Sequence, residues 1–177
     1  IGEGRARGLS PDGAWALSTV QIPRPALFLI PTGAGETRAL PLGSIVRYHW
    51  ASFFPDGKRI LIVGNEEGRP QRLFVQDIAG GPPRPIAVEG FRVPEPSSCV
   101  SPDGMQVAAF STEGGPVIVS VSDGKPRPIG GLLPRERPIA WSQDGKSLFV
   151  AEGAAGPDVL RIFRFGLASR KRTLWKE

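Results

Sequence analysis

The feature that most constrains this chain is a four-residue motif that occurs four times. Three copies contain Pro-Asp-Gly and the fourth has glutamine in place of proline; the copies are Ser10-Pro11-Asp12-Gly13, Phe54-Pro55-Asp56-Gly57, Ser101-Pro102-Asp103-Gly104 and Ser142-Gln143-Asp144-Gly145. Successive aspartates of the motif are 44, 47 and 41 residues apart. This spacing predicts a fold that is assembled from one repeating unit.

Each residue type in the motif suits a tight hairpin between two strands. Proline fixes φ near about −65°, aspartate hydrogen-bonds the backbone ahead of it, and glycine accepts the left-handed φ that closes the hairpin. The residues predicted to have this structural role are Pro11, Asp12, Gly13, Pro55, Asp56, Gly57, Pro102, Asp103, Gly104, Asp144 and Gly145. The aspartates could instead be metal ligands, but turn chemistry already accounts for each of them, so we predict no metal site.

The segments between the motifs predict an all-β fold. Short apolar runs such as Ile60–Val63 and Val107–Phe110 are typical of strands that are covered on both faces, and no segment has a helical period. A repeat of about 40 to 45 residues made of such strands is typical of a β-propeller blade. We predict a single propeller over residues 1–177, with four-stranded antiparallel blades at approximately 5–42, 46–88, 97–129 and 138–175. The inner strand of the third blade is placed at Ser97–Ser101.

Composition agrees with a folded chain that has many turns. The 177 residues are 40% hydrophobic and 22% charged, and 23 glycines and 19 prolines are spread between the strand-like runs. The one cysteine, Cys99, cannot form an intrachain disulfide and is expected to be buried. No run approaches the ~18 apolar residues of a membrane helix, and no signal peptide is present. Because the chain starts at Ile1, we expect a piece of a longer or processed protein.

The chain is basic, with a net charge of +5, and 17 of its 22 basic residues are arginines. A late group comprises Arg161, Arg164, Arg170, Lys171 and Arg172. This group could form a nucleic-acid-binding face or could simply be solvated strand and turn residues. No basic groove interleaved with aromatic residues accompanies it, so no nucleic-acid partner is expected.

Motifs for catalysis are missing from the sequence. There is no G-x-S-x-G, H-E-x-x-H, C-x-x-C or EF-hand loop, and His49 is the only histidine. His49 begins a predicted inner strand, where it could line a central channel that binds a ligand; the alternative is a packed, hydrogen-bonded structural histidine. We predict no catalytic residue, no cofactor and no enzymatic activity for this chain.

The recurring x-Pro-Asp-Gly hairpin followed by an apolar strand resembles the TolB-type, WD-repeat-like β-propeller family over essentially the whole chain. A narrower resemblance lies in residues 138–150 and the ending Leu174-Trp175-Lys176-Glu177, together with Arg84-Pro85-Ile86 and Arg127-Pro128-Ile129. These segments are similar to the C-terminal propellers of bacterial, especially acidobacterial, eukaryotic-like serine/threonine protein kinases. In that family a kinase domain and a membrane helix usually precede the propeller, and the kinase motifs H-R-D and D-F-G are not in this chain.

The resemblance implies a non-enzymatic sensor or a protein- or ligand-binding module attached to such a kinase. It favours an extracytoplasmic location, with a cytoplasmic one as the alternative. The alternative function is the propeller portion of a prolyl-oligopeptidase-like hydrolase whose catalytic domain lies outside the chain. TolB-type propellers usually have six or more blades, so four blades imply part of a larger ring whose exposed end blades would self-associate. A closed four-bladed ring is the other possibility.

Overall fold

The structure is a computed structural model that describes residues 4–21, 24–87, 89–93, 99–152 and 161–176. These residues form sixteen β-strands and no helix, and thus no helix that could span a membrane. The strands make four sheets of four, each antiparallel and each ordered as the chain runs. The predicted all-β fold with four four-stranded antiparallel blades is therefore confirmed.

The first blade contains β1 (Arg5–Leu9), β2 (Trp15–Val20), β3 (Ala26–Pro31) and β4 (Arg38–Leu40). The second contains β5 (Ile45–Phe53), β6 (Arg59–Glu66), β7 (Arg72–Asp77) and β8 (Arg84–Pro85). The third contains β9 (Phe91–Arg92), β10 (Gln106–Ser111), β11 (Gly115–Ser120) and β12 (Pro126–Pro128). The fourth contains β13 (Arg137–Trp141), β14 (Ser147–Glu152), β15 (Arg161–Gly166) and β16 (Arg172–Lys176).

The blades form two compact units, residues 1–89 and residues 90–177. In the first unit, leucines of β2 and β3 pack with residues of β5, β6 and β7; the buried members are Leu17, Leu27, Leu29, Leu40, Ile45, Tyr48, Ala51, Ile60, Ile62 and Phe74. In the second unit, β10 and β11 pack with β14 and β15 through Ala108, Ile118, Ile129, Leu148, Val150 and Phe165. Burial of this apolar surface, at about 25 cal/mol per Å², is what holds each pair of blades together.

The second strands are buried on both faces, as their sequence predicts. Ile60, Leu61 and Ile62 are fully buried although alternate side chains of a strand point to opposite faces.

The single cysteine, Cys99, is also buried, as the sequence predicts.

The inner strand of the third blade differs from the prediction. Phe91 and Arg92 form β9 by pairing with Ser111 and Phe110, and Val100 makes an isolated bridge to Val107. The predicted strand at Ser97–Ser101 missed β9, and its first two residues lie outside the described part of the chain. Pro94 and Pro96, which the sequence analysis did not weigh, are the signal against a strand that continues from β9, because proline cannot donate to a strand ladder.

Within each unit, the motif turns of the two blades lie close together. A Cβ placed on Gly57 would lie 3.6 Å from Cδ of Pro11, and one placed on Gly145 would lie 3.8 Å from Cδ of Pro102. The proline ring of one turn therefore lies where it would be in van der Waals range of a β-carbon, if the glycine of the next turn had one.

Candidate functional site

The motif residues form the hairpins that precede the second strand of each blade. In every copy the glycine N–H donates to the carbonyl of the first motif residue, at 2.8 to 3.0 Å. The four glycines have φ between 66° and 72°, the left-handed region in which a β-carbon is disfavoured. The motif glycines therefore have a structural role, which is to give each turn its backbone conformation.

The motif aspartates bind groups of their own turns. In Asp12, Asp103 and Asp144, Oδ1 accepts hydrogen bonds from the motif serine and from the backbone N–H two residues ahead. The serine hydroxyl, followed by that N–H, holds the pKa of each carboxyl below its usual value. Within the described ranges, no group of three or more His, Cys, Asp or Glu side chains is placed to bind a metal ion.

The inner strands β1, β5 and β13 carry β-bulges. Their pairing with the second strands shifts register between Ala6 and Gly8, at two places in β5, and between Pro138 and Ala140. The residues skipped by the ladder are Arg7, Val46, His49 and Ile139. A bulge re-aims side chains and bends the strand, and bulges are frequent beside functional sites. The bulged inner strands are therefore the first place to look for a binding surface.

His49 is half-buried at the second bulge of β5. Its Nε2–H donates to Oδ1 of Asn65, and Nδ2 of Asn65 donates to the carbonyl of Arg69 at 2.7 Å. This network fixes the imidazole to β6 and to the loop that follows it, as the structural interpretation of His49 requires. That His49 also lines a channel stays a prediction.

Arg7, at the bulge of β1, reaches the neighbouring blade of the same unit. Its guanidinium lies 5.3 Å from the ring centroid of Trp50, and its Nε donates to Oγ1 of Thr19 at 2.8 Å. Trp50 is 8% exposed, and among the described residues its buried Nε1 has no hydrogen-bond partner. A cation–π contact with a mostly desolvated tryptophan positions the Arg7 side chain beside the inner strands.

A charged network joins the loops of the second blade at the end opposite its motif turn. Arg72 Nη1 donates to Glu66 at 3.0 Å, while its Nε and Nη2 donate to the carbonyl of Ala87 at 3.2 and 3.0 Å. Ser44 donates to the other oxygen of Glu66. Ser44, followed by Arg72, lowers the pKa of Glu66. These bonds tie together the segments around the ends of β5, β6 and β7 that lie near His49 and Asn65.

A second charged network lies in the fourth blade. Glu136 is 1% exposed and accepts hydrogen bonds from the N–H of Leu133 at 2.6 Å and from Nη1 of Arg172. Glu152 lies 4.0 Å from both Arg172 and Arg135. Of the late basic residues, Arg172 is therefore committed to this network, and Arg164 lies 3.7 Å from Asp144.

One cavity in the second unit was not anticipated from the sequence. It has a volume of about 210 Å³ and is lined by Arg92, Val93, Phe110 and Arg137. Arg92 and Phe110 face each other across the β9–β10 ladder, and Arg137 begins β13. The sequence did not single out these residues, because only the pairing of β9 brings Arg92 beside Phe110.

Comparison with known proteins identifies the fold. No protein-family model matches the sequence, and no curated protein matches it. The structure is similar to that of a putative TolB from Agrobacterium tumefaciens, with a TM-score of 0.76 and 16% identity, over 98% of this chain and 61% of that protein. TolB from Acinetobacter baumannii gives a TM-score of 0.70 and 16% identity, over 94% of this chain and 41% of that one.

A prolyl endopeptidase structure is also similar, with a TM-score of 0.64 and 18% identity, over 94% of this chain and 25% of that chain. At these identities the likeness shows the β-propeller fold, which hosts many functions, and nothing finer. The chain spans less than two thirds of the length of the proteins it resembles.

Proposed function

We propose that this chain is a non-catalytic binding module of the propeller fold. The observation that carries the proposal is the bulged inner-strand surface, where Arg7 and His49 are held half-buried by Trp50, Thr19 and Asn65. A polar group positioned by its neighbours beside a bulge suits recognition of a ligand or a peptide. The hydrogen bond between Nε2 of His49 and the amide oxygen of Asn65 holds the imidazole ring in place.

The binding role is tested with a panel of small metabolites and peptides, measured by thermal shift. A genuine ligand should raise the melting temperature of the wild-type chain and lose that effect in Arg7→Ala or His49→Ala. Arg84→Ala, on the exposed strand β8, is the matched control and should keep it. A ligand whose effect survives both inner-strand substitutions would place binding elsewhere and contradict this site.

The absence of catalysis is tested separately with chromogenic peptidase, esterase and phosphatase substrates. We expect no turnover by the purified chain. Turnover that disappears in His49→Ala would overturn the non-catalytic proposal, because His49 is the only imidazole base in the sequence.

We further propose that the module belongs to a bacterial serine/threonine protein kinase and acts as its sensor. The support is the resemblance of residues 138–150 and the terminal Leu-Trp-Lys-Glu sequence to kinase-associated propellers. The decisive observation is the coding sequence upstream, where a kinase domain with H-R-D and D-F-G motifs is expected. An upstream sequence without these motifs would contradict the kinase attachment while leaving the binding role intact.

The second candidate is the propeller portion of a prolyl-oligopeptidase-like hydrolase. It is favoured by the match of 94% of this chain to one quarter of a prolyl endopeptidase. A downstream domain with a G-x-S-x-G motif would establish it in place of the kinase attachment.

Self-association through the end blades is also proposed. In the first blade, Phe28 and Ile30 are only half-buried and lie on the face opposite Leu27 and Leu29. In the fourth blade, the Trp175 ring contacts Phe149 at 4.9 Å and is 57% exposed. Apolar faces of this kind suit contact with a second copy. Light scattering coupled to size exclusion should show a dimer that Trp175→Lys weakens; a monomer at all concentrations would contradict it.

A further inference from the structure

We propose that the cavity between β9 and β13 binds a carboxylate that carries an apolar group. The proposal extends the proposed binding role to a second place in the fold and names the chemistry recognised there. It concerns only residues of the second unit and does not depend on His49 or Arg7.

The cavity walls combine two cations with apolar surface. Two of the four lining residues, Arg92 and Arg137, carry a positive charge, and the other two, Phe110 and Val93, are apolar. Val93 is 7% exposed, so this side of the cavity belongs to the packed interior rather than to a mobile surface loop. A ligand that fills the cavity therefore needs both a negative group and carbon atoms.

The two arginines have no carboxylate of their own among the described residues. No ion pair or hydrogen bond of either side chain is found there, although six other arginines pair with acids: Arg59, Arg69, Arg72, Arg135, Arg164 and Arg172. The nearby acids Glu136 and Glu152 already face Arg172, and Glu152 also faces Arg135. Two cations that line one cavity, with no anion beside them in the described part of the chain, leave a local excess of positive charge there, which an anionic ligand would neutralise.

The mixed lining favours a carboxylate that carries an apolar group over inorganic anions. A planar guanidinium presents parallel N–H donors that match the two oxygens of a carboxylate. Inorganic phosphate would satisfy the charge but leave Phe110 and Val93 without contact. The volume of about 210 Å³ is below that of pockets for drug-sized ligands, roughly 300 to 1,000 Å³, so the bound portion is small. A free organic acid and the C-terminal carboxylate of a peptide both have this chemistry.

Isothermal titration calorimetry with four probes tests the inference and separates the two sources. The probes are 3-phenylpropionate, N-acetyl-Ala-Phe with a free C-terminal carboxylate, the same peptide as its C-terminal amide, and inorganic phosphate. We expect at least one carboxylate probe to bind, with affinity falling as salt is raised, and the amide to bind at least tenfold more weakly than the free peptide. Binding of phenylpropionate alone identifies a small acid, and tighter binding of the peptide identifies a chain terminus.

The variants Arg92→Gln and Arg137→Gln should each weaken the carboxylate probe at least tenfold. Both side chains are exposed, so the fold should survive, which circular dichroism and a thermal melt verify. Arg84→Gln, which removes the same charge from exposed strand β8, should bind like the wild type. The inference is overturned if no carboxylate binds the wild type, if phosphate binds more tightly, or if Arg92→Gln and Arg137→Gln bind as well as Arg84→Gln. None of these outcomes affects the test of Arg7 and His49.

Discussion

The second motif turn begins with Phe54, whereas the other three begin with serine and are called the serine turns here. All four turns have the same backbone geometry, but different side chains hold it. In the serine turns, the N–H five residues after the serine donates to the serine Oγ at 2.9 Å, as in Gln106 to Ser101. In the second turn, Phe54 has no hydroxyl, and the equivalent N–H of Arg59 donates to Oδ1 of Asp56 at 3.1 Å. The backbone donor is satisfied in both arrangements, as a buried or partly buried N–H must be.

The second turn uses the freed position for packing. Phe54 is fully buried, whereas the motif serines Ser10, Ser101 and Ser142 are 2 to 6% exposed and fully engaged in hydrogen bonds. Arg59 replaces the missing hydroxyl as a side-chain donor: its Nε lies 2.6 Å from Asp56 Oδ2 and its Cζ lies 4.4 Å from the Phe54 ring centroid. Partial burial, the largest single influence on Asp56, raises its pKa, but hydrogen bonds from the Lys58 N–H and from Arg59, with the charge of Arg59, together lower the pKa below its usual value. The first position of the motif can therefore hold either a serine that hydrogen-bonds the turn or a phenylalanine that packs in the core.

The largest expected effect is that of Phe54→Ser, which gives the second turn the serine of the others. The new hydroxyl could accept the Arg59 N–H, but the lost phenyl volume should cost about 3 to 5 kcal/mol in the free energy of unfolding. Urea denaturation measures it, with Phe54→Leu as the milder control. If the free energy of unfolding fell by less than about 1 kcal/mol, the new hydroxyl would compensate for the lost ring. Packing of Phe54 would then not be a main source of stability for this turn.

Ser101→Ala tests the polar version of the turn. It removes the acceptor of the Gln106 N–H and the donor to Asp103, and leaving a buried group unpaired should cost about 1 to 3 kcal/mol. The control is Ser122→Ala, an exposed serine outside the motif. If both variants unfold at the same urea concentration, the serine hydroxyl does not stabilise the turn.

Gly104→Ala acts on the feature that all four turns share. Its φ of 69° disfavours a β-carbon, so we expect a loss on the order of 1 kcal/mol or more in a thermal melt. Gly114→Ala is the matched control because a Cβ there meets no atom within 4 Å and its φ is outside the left-handed region. An unchanged melt for Gly104→Ala would show that the turn relaxes around the added methyl group.

Acid should weaken the serine turns through their aspartates. Because the folded pKa of Asp103 is lowered, its contribution to stability is present above the unfolded pKa, near about 3.9, and is lost as pH falls through the folded value. Melting temperatures measured between about pH 6 and pH 2 should therefore fall less steeply for Asp103→Asn than for the wild type. Glu113→Gln, at an exposed carboxylate outside the motif, is the control. Equal slopes for wild type and Asp103→Asn would exclude this linkage.

The smallest effect is expected from Gln143→Pro, which completes the motif in the fourth turn. The fourth turn already has nearly the geometry of the third. The distance from glycine N to serine O is 2.9 Å in the fourth turn and 2.8 Å in the third. A proline that fits should be neutral or should stabilise by up to about 1 kcal/mol, by restricting the unfolded chain. A clear loss of stability would mean that φ at position 143 differs from that of proline.

The fold could be predicted from the sequence because its signals are local. A turn such as Ser101–Gly104 is specified by four adjacent residues, and the buried second strands follow from runs such as Ile60–Val63. Strand β9 was missed because two residues carry no periodicity and prolines follow them. It becomes a strand only through pairing with β10, which lies later in the chain.

The candidate sites could be predicted only in part. His49 was singled out as the only imidazole, but its bulge and its bond to Asn65 depend on the register between β5 and β6. Arg92 and Arg137 lie in different blades, and no spacing rule relates them. The sequence contains 17 arginines, and nothing in their local sequence distinguishes Arg92 and Arg137 from the others.

The close approach of Pro11 to Gly57, repeated between Pro102 and Gly145, bears on how such a chain can grow by duplication. The same tetrapeptide supplies the ring on one side of this joint and the open glycine surface on the other. A copied blade therefore inherits both halves of its junction with a neighbour. A new blade that carries Pro-Asp-Gly would bring both the ring and the glycine with it, whereas a turn of another sequence, such as the fourth with Gln143, lacks the ring.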